Sequence, residues 1–214
     1  ATDLKPVSVA AEATLGLAVG PAVPASVSNL RELIDWTRAH PKRANYGSPG
    51  AGTLPHLLSA LLAVTAQVDW QHVAYAGGPQ ALVDLVGGRI AVLILPEGLL
   101  RQHHAAGRLR VLATSGSIRS EFMPSVATFA EQGYASLVMR EWFGLFMPGS
   151  APQAVADSAA GQVRLAAASP GVSQALRDNA MVAVAGTAAQ MGERIVVEQA
   201  YWQRVLGATS IRAE

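Results

Sequence analysis

The feature that most constrains this chain is a rhythm. Between residues 44 and 114, short apolar runs closed by glycine or proline alternate with segments of helical spacing. Residues 44–48 read as a strand that runs into the turn Pro49-Gly50-Ala51-Gly52. A helix follows over 54–65, with leucines at 54, 57, 58, 61 and 62 on one face. Residues 70–75 are strand-like, 79–86 helical, 90–95 a buried strand and 97–106 helical, with Gly107 placed as a C-cap. A strand over 109–114 ends the series. Strand and helix in strict alternation predict an α/β layer structure with a mainly parallel sheet flanked by helices. Half of the 214 residues are hydrophobic and 14% are charged, enough to bury a core and too apolar for disorder.

The flanks are less regular. Runs at 7–13 and 15–19 read as two short strands, followed by a loop with Pro21 and Pro24. Asn29 stands three residues before Glu32, a capping-box pattern that opens a helix ending near His40-Pro41. After a polar loop over 115–125 come a short helix at 128–132 and an aromatic strand at 142–147. Beyond Pro148 the pattern becomes helical over 151–168, 173–179 and 188–206. A mostly helical tail of this length makes a poor core alone. It is expected to dock on the N-terminal strands or on a second subunit, so a homo-oligomer or an exchange of elements is predicted.

Two strand-to-helix turns carry the chemistry. In Ser48-Pro49-Gly50-Ala51-Gly52-Thr53 the glycines permit a tight turn and Pro55 suits a first helical turn. Such a turn presents free backbone N–H groups at the positive end of a helix, with Ser48 and Thr53 adding hydroxyls, which suits a carboxylate or phosphate. A glycine turn satisfied by Ser48, Thr53 and water is the other reading of the same residues. The second turn, Tyr75-Ala76-Gly77-Gly78, should lie beside the first at the carboxyl edge of a parallel sheet. Tyr75 either faces a ligand or caps the sheet edge. His72 reads as structural, Glu97 as a partner of its helix dipole, and 142–146 as a buried core or hinge strand rather than a cleft wall.

Other chemistries lack their residues. Gly50 and Gly52 start a dinucleotide fingerprint, but Pro55 stands where the third glycine belongs, and no Gly-Lys-Ser/Thr follows for a phosphate loop of the Walker type. There is no Gly-x-Ser-x-Gly or His-Glu-x-x-His. His103 and His104 are adjacent and point apart on a helix, so no metal is expected. Cysteine is absent, which removes disulfides, zinc thiolates and cysteine nucleophiles. Sixteen basic against fifteen acidic side chains, with no basic run, argue against nucleic acid. Nothing in these residues asks for an enzyme or a cofactor, and they leave an enzyme open. An enzyme would need His56 as its base.

The motifs in order resemble the substrate-binding receptors of tripartite tricarboxylate transporters, the Bug-type periplasmic solute-binding proteins. The matching pieces are Tyr46-Gly47-Ser48-x-Gly50-x-Gly52 with His56, His72-Val-x-Tyr75-x-Gly77, and Ala81-Leu-Val-Asp-Leu-Val-Gly-Gly88. They continue through Gly107-Arg-Leu-Arg-Val-Leu-Ala-Thr-Ser115 with Arg119, Phe129-Ala-Glu-Gln-Gly133 and Trp142-Phe-Gly-Leu-Phe-Met-Pro148. The resemblance implies a type 2 periplasmic-binding-protein fold of Venus-flytrap form, one lobe complete over 15–141. The second lobe, from 1–14 and 142–214, would be partial, without its upstream part. It also implies a small carboxylate held by helix-opening loops, here Ser48, Gly50, Ala51, Gly52, Thr53, Tyr75, Gly77 and Gly78, and membrane transporter subunits as partners. The chain would be periplasmic if a leader was removed, and cytoplasmic otherwise. The alternative is a relic of such a receptor acting as an interaction module without ligand.

Overall fold

Residues 4 to 19 form one long strand, β1 (Leu4–Val19), where the sequence reads as two short ones. Gly16 does not break it. A Cβ there would come within 3.0 Å of the Leu100 side chain and 3.1 Å of Val111, so this glycine admits close packing rather than a turn. The structure is a computed structural model that describes residues 3–208 and 211. Contacts divide it into two units: one of the described residues up to Ala13 and from Glu141 to Ala208, the other of Thr14–Arg140 with Ile211.

The larger unit follows the predicted rhythm. After β1 come α1 (Leu30–Ala39), β2 (Asn45–Ser48), α2 (Leu54–Thr65), β3 (Gln71–Ala74), α3 (Gly78–Val86), β4 (Val92–Pro96), α4 (Glu97–Ala105) and β5 (Arg110–Thr114). The Asn29 side chain accepts the Glu32 N–H at 2.9 Å, and Glu32 reaches back to the Ser28 N–H at 2.6 Å, so α1 opens as the capping pattern predicts. The sheet order is β3-β2-β4-β1-β5. β2 runs parallel to β3 and β4, while β1 runs antiparallel to β4 and β5, so one reversed strand sits inside a mainly parallel sheet. α2 is mostly apolar and buried at every residue from Pro55 to Ala63, His56 and Ser59 included, as expected of a helix enclosed by its neighbours. Leu85, Leu93, Leu95 and Leu100 form the centre of another buried cluster with α3 and α4.

Thr128 forms a single parallel bridge with Thr114 and residues 129–132 form turns, not the expected helix. The start signal is present: Thr128 and Glu131 exchange N–H bonds at 2.7 and 3.1 Å. Gly133 then takes a φ of 91°, which stops the helix after its first turn.

In the smaller unit, β6 (Arg140–Pro148) and β7 (Met181–Ala183) both pair with β1, with α5 (Gln153–Ala167), α6 (Pro170–Asp178) and α7 (Ala188–Ala208) completing it. The tail thus docks on the N-terminal strand, where Ala11 to Ala13 align antiparallel with β7. β7 is absent from the sequence reading because three residues carry no usable period. α7 is tied to β1 by an ion pair from Arg194 to Glu12, and Arg194 also pairs with Glu198 at 2.7 Å. Of the two expectations for the aromatic strand, buried core or hinge, the first is not met: Phe143, Leu145 and Phe146 are 42%, 46% and 40% exposed.

Candidate functional site

Because β2, β3 and β4 run parallel, the helices that follow them all open at one edge of the sheet. This is the carboxyl edge, where open α/β sheets hold ligands. The two predicted loops lie side by side there: a Cβ on Gly50 would sit 4.0 Å from the Tyr75 carbonyl oxygen, and the Tyr75 N–H donates to the Ser48 carbonyl at 3.0 Å.

The first loop wraps the start of α2. Thr53 is the N-cap, but its hydroxyl donates to the Gly50 carbonyl at 2.7 Å rather than accepting from the helix. Pro55 has no N–H to satisfy. The N–H groups of Ala51, Leu54 and His56 meet no acceptor among the described residues. α3 opens likewise, from Gly77 at φ 123° with no side-chain cap and with Pro79 in the first turn. Both helix ends therefore offer backbone donors and the positive end of a dipole.

Two hydroxyls proposed as ligand donors are engaged inside the unit instead. Ser48 is fully buried, its Oγ 2.7 Å from His72 Nε2 and 3.1 Å from the Gly50 carbonyl oxygen. A chain in which His72 Nε2–H donates to Ser48 and Ser48 donates to Gly50 satisfies all three atoms. The Tyr75 hydroxyl donates to Asp84 at 3.0 Å, and Asp84 is paired with Arg89 at 2.6 Å. Burial and the Asp84 carboxylate push the Tyr75 hydroxyl up to about 12. Loop 48–53 thus combines both sequence readings, with Ser48 and Thr53 satisfying the turn from within and the helix start left open.

Beneath the loop lies a stack of rings that sequence reasoning treated only in part. His56 and His72 stack at 4.0 Å between centroids, and Tyr46 stacks on His72 at 4.9 Å. The Gly52 N–H donates to His56 Nδ1 at 3.0 Å. Burial lowers the pKa of both imidazoles, and the positive charge of one disfavours charge on the other at His56, so both are held neutral.

The third helix start departs from expectation. Glu97 is not a solvated dipole partner but fully buried, its Oε2 accepting from the Ser120 hydroxyl at 2.5 Å and its Oε1 without a partner. Burial raises its pKa to about 7, against the lowering effects of Ser120 and Arg140. Its sequence position gave no sign of this, because the covering residue lies far along the chain. No cluster suited to a metal ion occurs among the described residues, and His104 is used locally, its Nδ1 accepting the Val111 N–H at 3.2 Å.

Known proteins share this fold. Residues 1–210 match the family model of the tripartite tricarboxylate transporter family receptor. A UPF0065 protein from the tcbD-tcbE intergenic region of Pseudomonas sp. (strain P51) is 32% identical over 179 residues, covering 83% of this chain and 53% of that protein. Protein BugT of Bordetella pertussis is 32% identical over 154 residues, covering 72% and 47%. The chain thus spans about half the length of these curated relatives. Among solved structures, a periplasmic transporter superposes with a TM-score of 0.91 at 26% identity, over 100% of this chain and 70% of that one. An R. palustris protein solved with adipate superposes at 0.87 and 27% identity, over 95% and 67%. The fold is that of a periplasmic binding protein, and the chain belongs to the tripartite tricarboxylate transporter receptor family.

Proposed function

We propose that this chain is part of a periplasmic solute-binding receptor that holds a small carboxylate, unchanged, for uptake by tripartite transporter subunits. The observation that carries the reading is the pair of adjacent uncapped helix starts. The N–H groups of Ala51, Leu54 and His56 are open at the start of α2, and α3 opens at Gly77-Gly78 without a side-chain cap at the same sheet edge. Neither loop, Ser48 to Thr53 or Tyr75 to Gly78, contains an acidic side chain to repel an anion. Fixed amide dipoles at two helix ends suit a carboxylate and ask for no positive side chain. The family supports a receptor rather than an enzyme, and the related protein solved with adipate supports a dicarboxylate.

In this reading Gly50, Ala51, Gly52 and Thr53 form one wall and Tyr75, Gly77 and Gly78 the other, with Ser48 and His72 as supports beneath. The test is calorimetric titration with adipate and a panel of other di- and tricarboxylates, followed by a thermal shift. At about a hundred times its dissociation constant, a ligand adds about 2.7 kcal/mol to stability. Gly52 has a φ of 75°, where a β-branched side chain is strained. Gly52→Val is therefore expected to abolish binding while the melt stays cooperative. Silence from every acid, with a cooperative melt, would refute the receptor reading in favour of a fold kept without its ligand.

A further inference from the structure

We propose that His56 is a positioning residue for the anion loop, and that the loop keeps its binding shape only while His56 Nδ1 carries no proton. The effect on affinity rests on the carboxylate reading above. The effect on the loop stands without it.

The argument starts from hydrogen-bond chemistry. A backbone amide nitrogen donates and does not accept, so a Gly52 N to His56 Nδ1 distance of 3.0 Å requires a lone pair on Nδ1. The ring proton is then on Nε2. His56 occupies the third position of α2, from which a side chain reaches back over the residues before the helix. In a capping box that position holds Glu or Gln. A glutamate here would place a full negative charge against the helix start that is to receive an anion. A neutral imidazole supplies the acceptor without the charge.

His72 completes the support, since its Nε2 meets Ser48, which in turn holds the Gly50 carbonyl. Two neutral histidines therefore fix the two glycines of the turn, one directly and one through a hydroxyl. Protonation of His56 at Nδ1 sets two N–H groups against each other and releases Gly52. The ring has little room to turn away, being 5% exposed and stacked on His72 at 4.0 Å. The titratable groups facing it are Tyr46 from β2 and His72 from β3. Among the other elements packed on α2, β4, Val-Leu-Ile-Leu-Pro, and the single turn Ala135–Leu137, Ala-Ser-Leu, contain no titratable residue, and α1 brings Arg38 to the far end of α2, where it donates to the Ala66 carbonyl at 2.6 Å. Burial and the neighbouring His72 place the transition below the ordinary 6.5 of histidine.

The experiment is long-range proton–nitrogen NMR of the ligand-free chain from about pH 8 to about pH 5. It follows the His56 ring and the Gly52 amide, and adipate titrations are run alongside. The expected result is an Nε2–H tautomer at high pH and a Gly52 amide that titrates with the same midpoint as His56. In His56→Asn the side-chain oxygen stands where Nδ1 stood, so the Gly52 resonance should stay near its wild-type position and stop titrating. His56→Leu should lose that position at every pH. Adipate affinity should fall about tenfold per pH unit below the midpoint in the wild type relative to His56→Asn. That comparison cancels the protonation of adipate itself.

An Nδ1–H tautomer, or a Gly52 amide indifferent to His56, overturns the proposal. So does a wild-type affinity that rises in acid relative to His56→Asn, because the imidazolium charge would then outweigh the lost loop geometry. If Gly52 follows His56 while adipate binds at no pH, the positioning role stands and the carboxylate reading fails.

Discussion

Glu97 offers a measurement whose size follows from the structure. Its carboxyl is fully buried at the start of α4, with one oxygen on the Ser120 hydroxyl and the other unpartnered. Burial raises its pKa from 4.5 to about 7. Between those values the folded state holds a proton that the unfolded state has released. Stability therefore falls as pH rises through this window and is lowest above it. A shift from 4.5 to about 7 corresponds to about 3 kcal/mol at 1.36 kcal/mol for each pH unit. Glu97→Gln copies the neutral acid and still accepts from Ser120. The variant should match the wild type near about pH 4.5 and exceed it by about 3 kcal/mol near about pH 8.5.

Urea unfolding followed by circular dichroism at both pH values reads this directly. With a slope of about 2 kcal/mol per molar, the midpoints of the two proteins should separate by about 1.5 M at the higher pH. Other titrating groups are common to both proteins and cancel in the difference. A gap that stays constant with pH would refute the reasoning, because Glu97 would then not be the group that titrates. A variant less stable at high pH would mean that the buried charge is compensated, and that its pairing outweighs its desolvation.

Two further outcomes are expected. Ser115 is fully buried, accepting the Leu15 N–H at 3.0 Å and donating to the Met139 carbonyl at 2.6 Å. Ser115→Ala leaves both backbone groups unsatisfied and should cost about 2 to 5 kcal/mol in a urea melt; a loss below about 0.5 kcal/mol would show that the backbone finds other partners. On β6, the exposed Phe143, Leu145 and Phe146 should drive the isolated chain to associate with itself. Light scattering that returns the mass of one chain across concentrations would count against this, and against the predicted oligomer.

The strands and helices from residue 30 to 114 were legible because glycine and proline mark their ends. Asn29 with Glu32, Pro55 and Pro79 all act through the backbone of their own segment, and local chemistry is what a single sequence displays. Features that depend on a distant partner were not legible. β1 reads as two runs, 7–13 and 15–19, until its pairing with β7 at one end and with β4 and β5 at the other is known. β7 exists because β1 lies beside it, and three residues carry no period of their own.

The candidate site divides along the same line. Its donors are backbone groups at helix starts, so the loops could be found from Gly50, Gly52, Gly77 and Gly78 without any long-range information. What holds those loops in shape is non-local: the Ser48 hydroxyl on a histidine from the neighbouring strand, and a ring stack assembled from β2, α2 and β3. His56 is the exception that sequence reasoning could have reached. It stands at the third helical position behind Gly52-Thr53, the place where a capping residue reaches back, and imidazole is an acceptor as glutamate is. Treating that position as reserved for Glu and Gln hides the bond. Treating it as reserved for any acceptor exposes it, and the missing charge then points to what the helix start is kept free to hold. The same logic explains Glu97 by contrast: its helix start carries its own acid, buried and unpartnered on one oxygen, and so is the one of the three that offers an anion nothing.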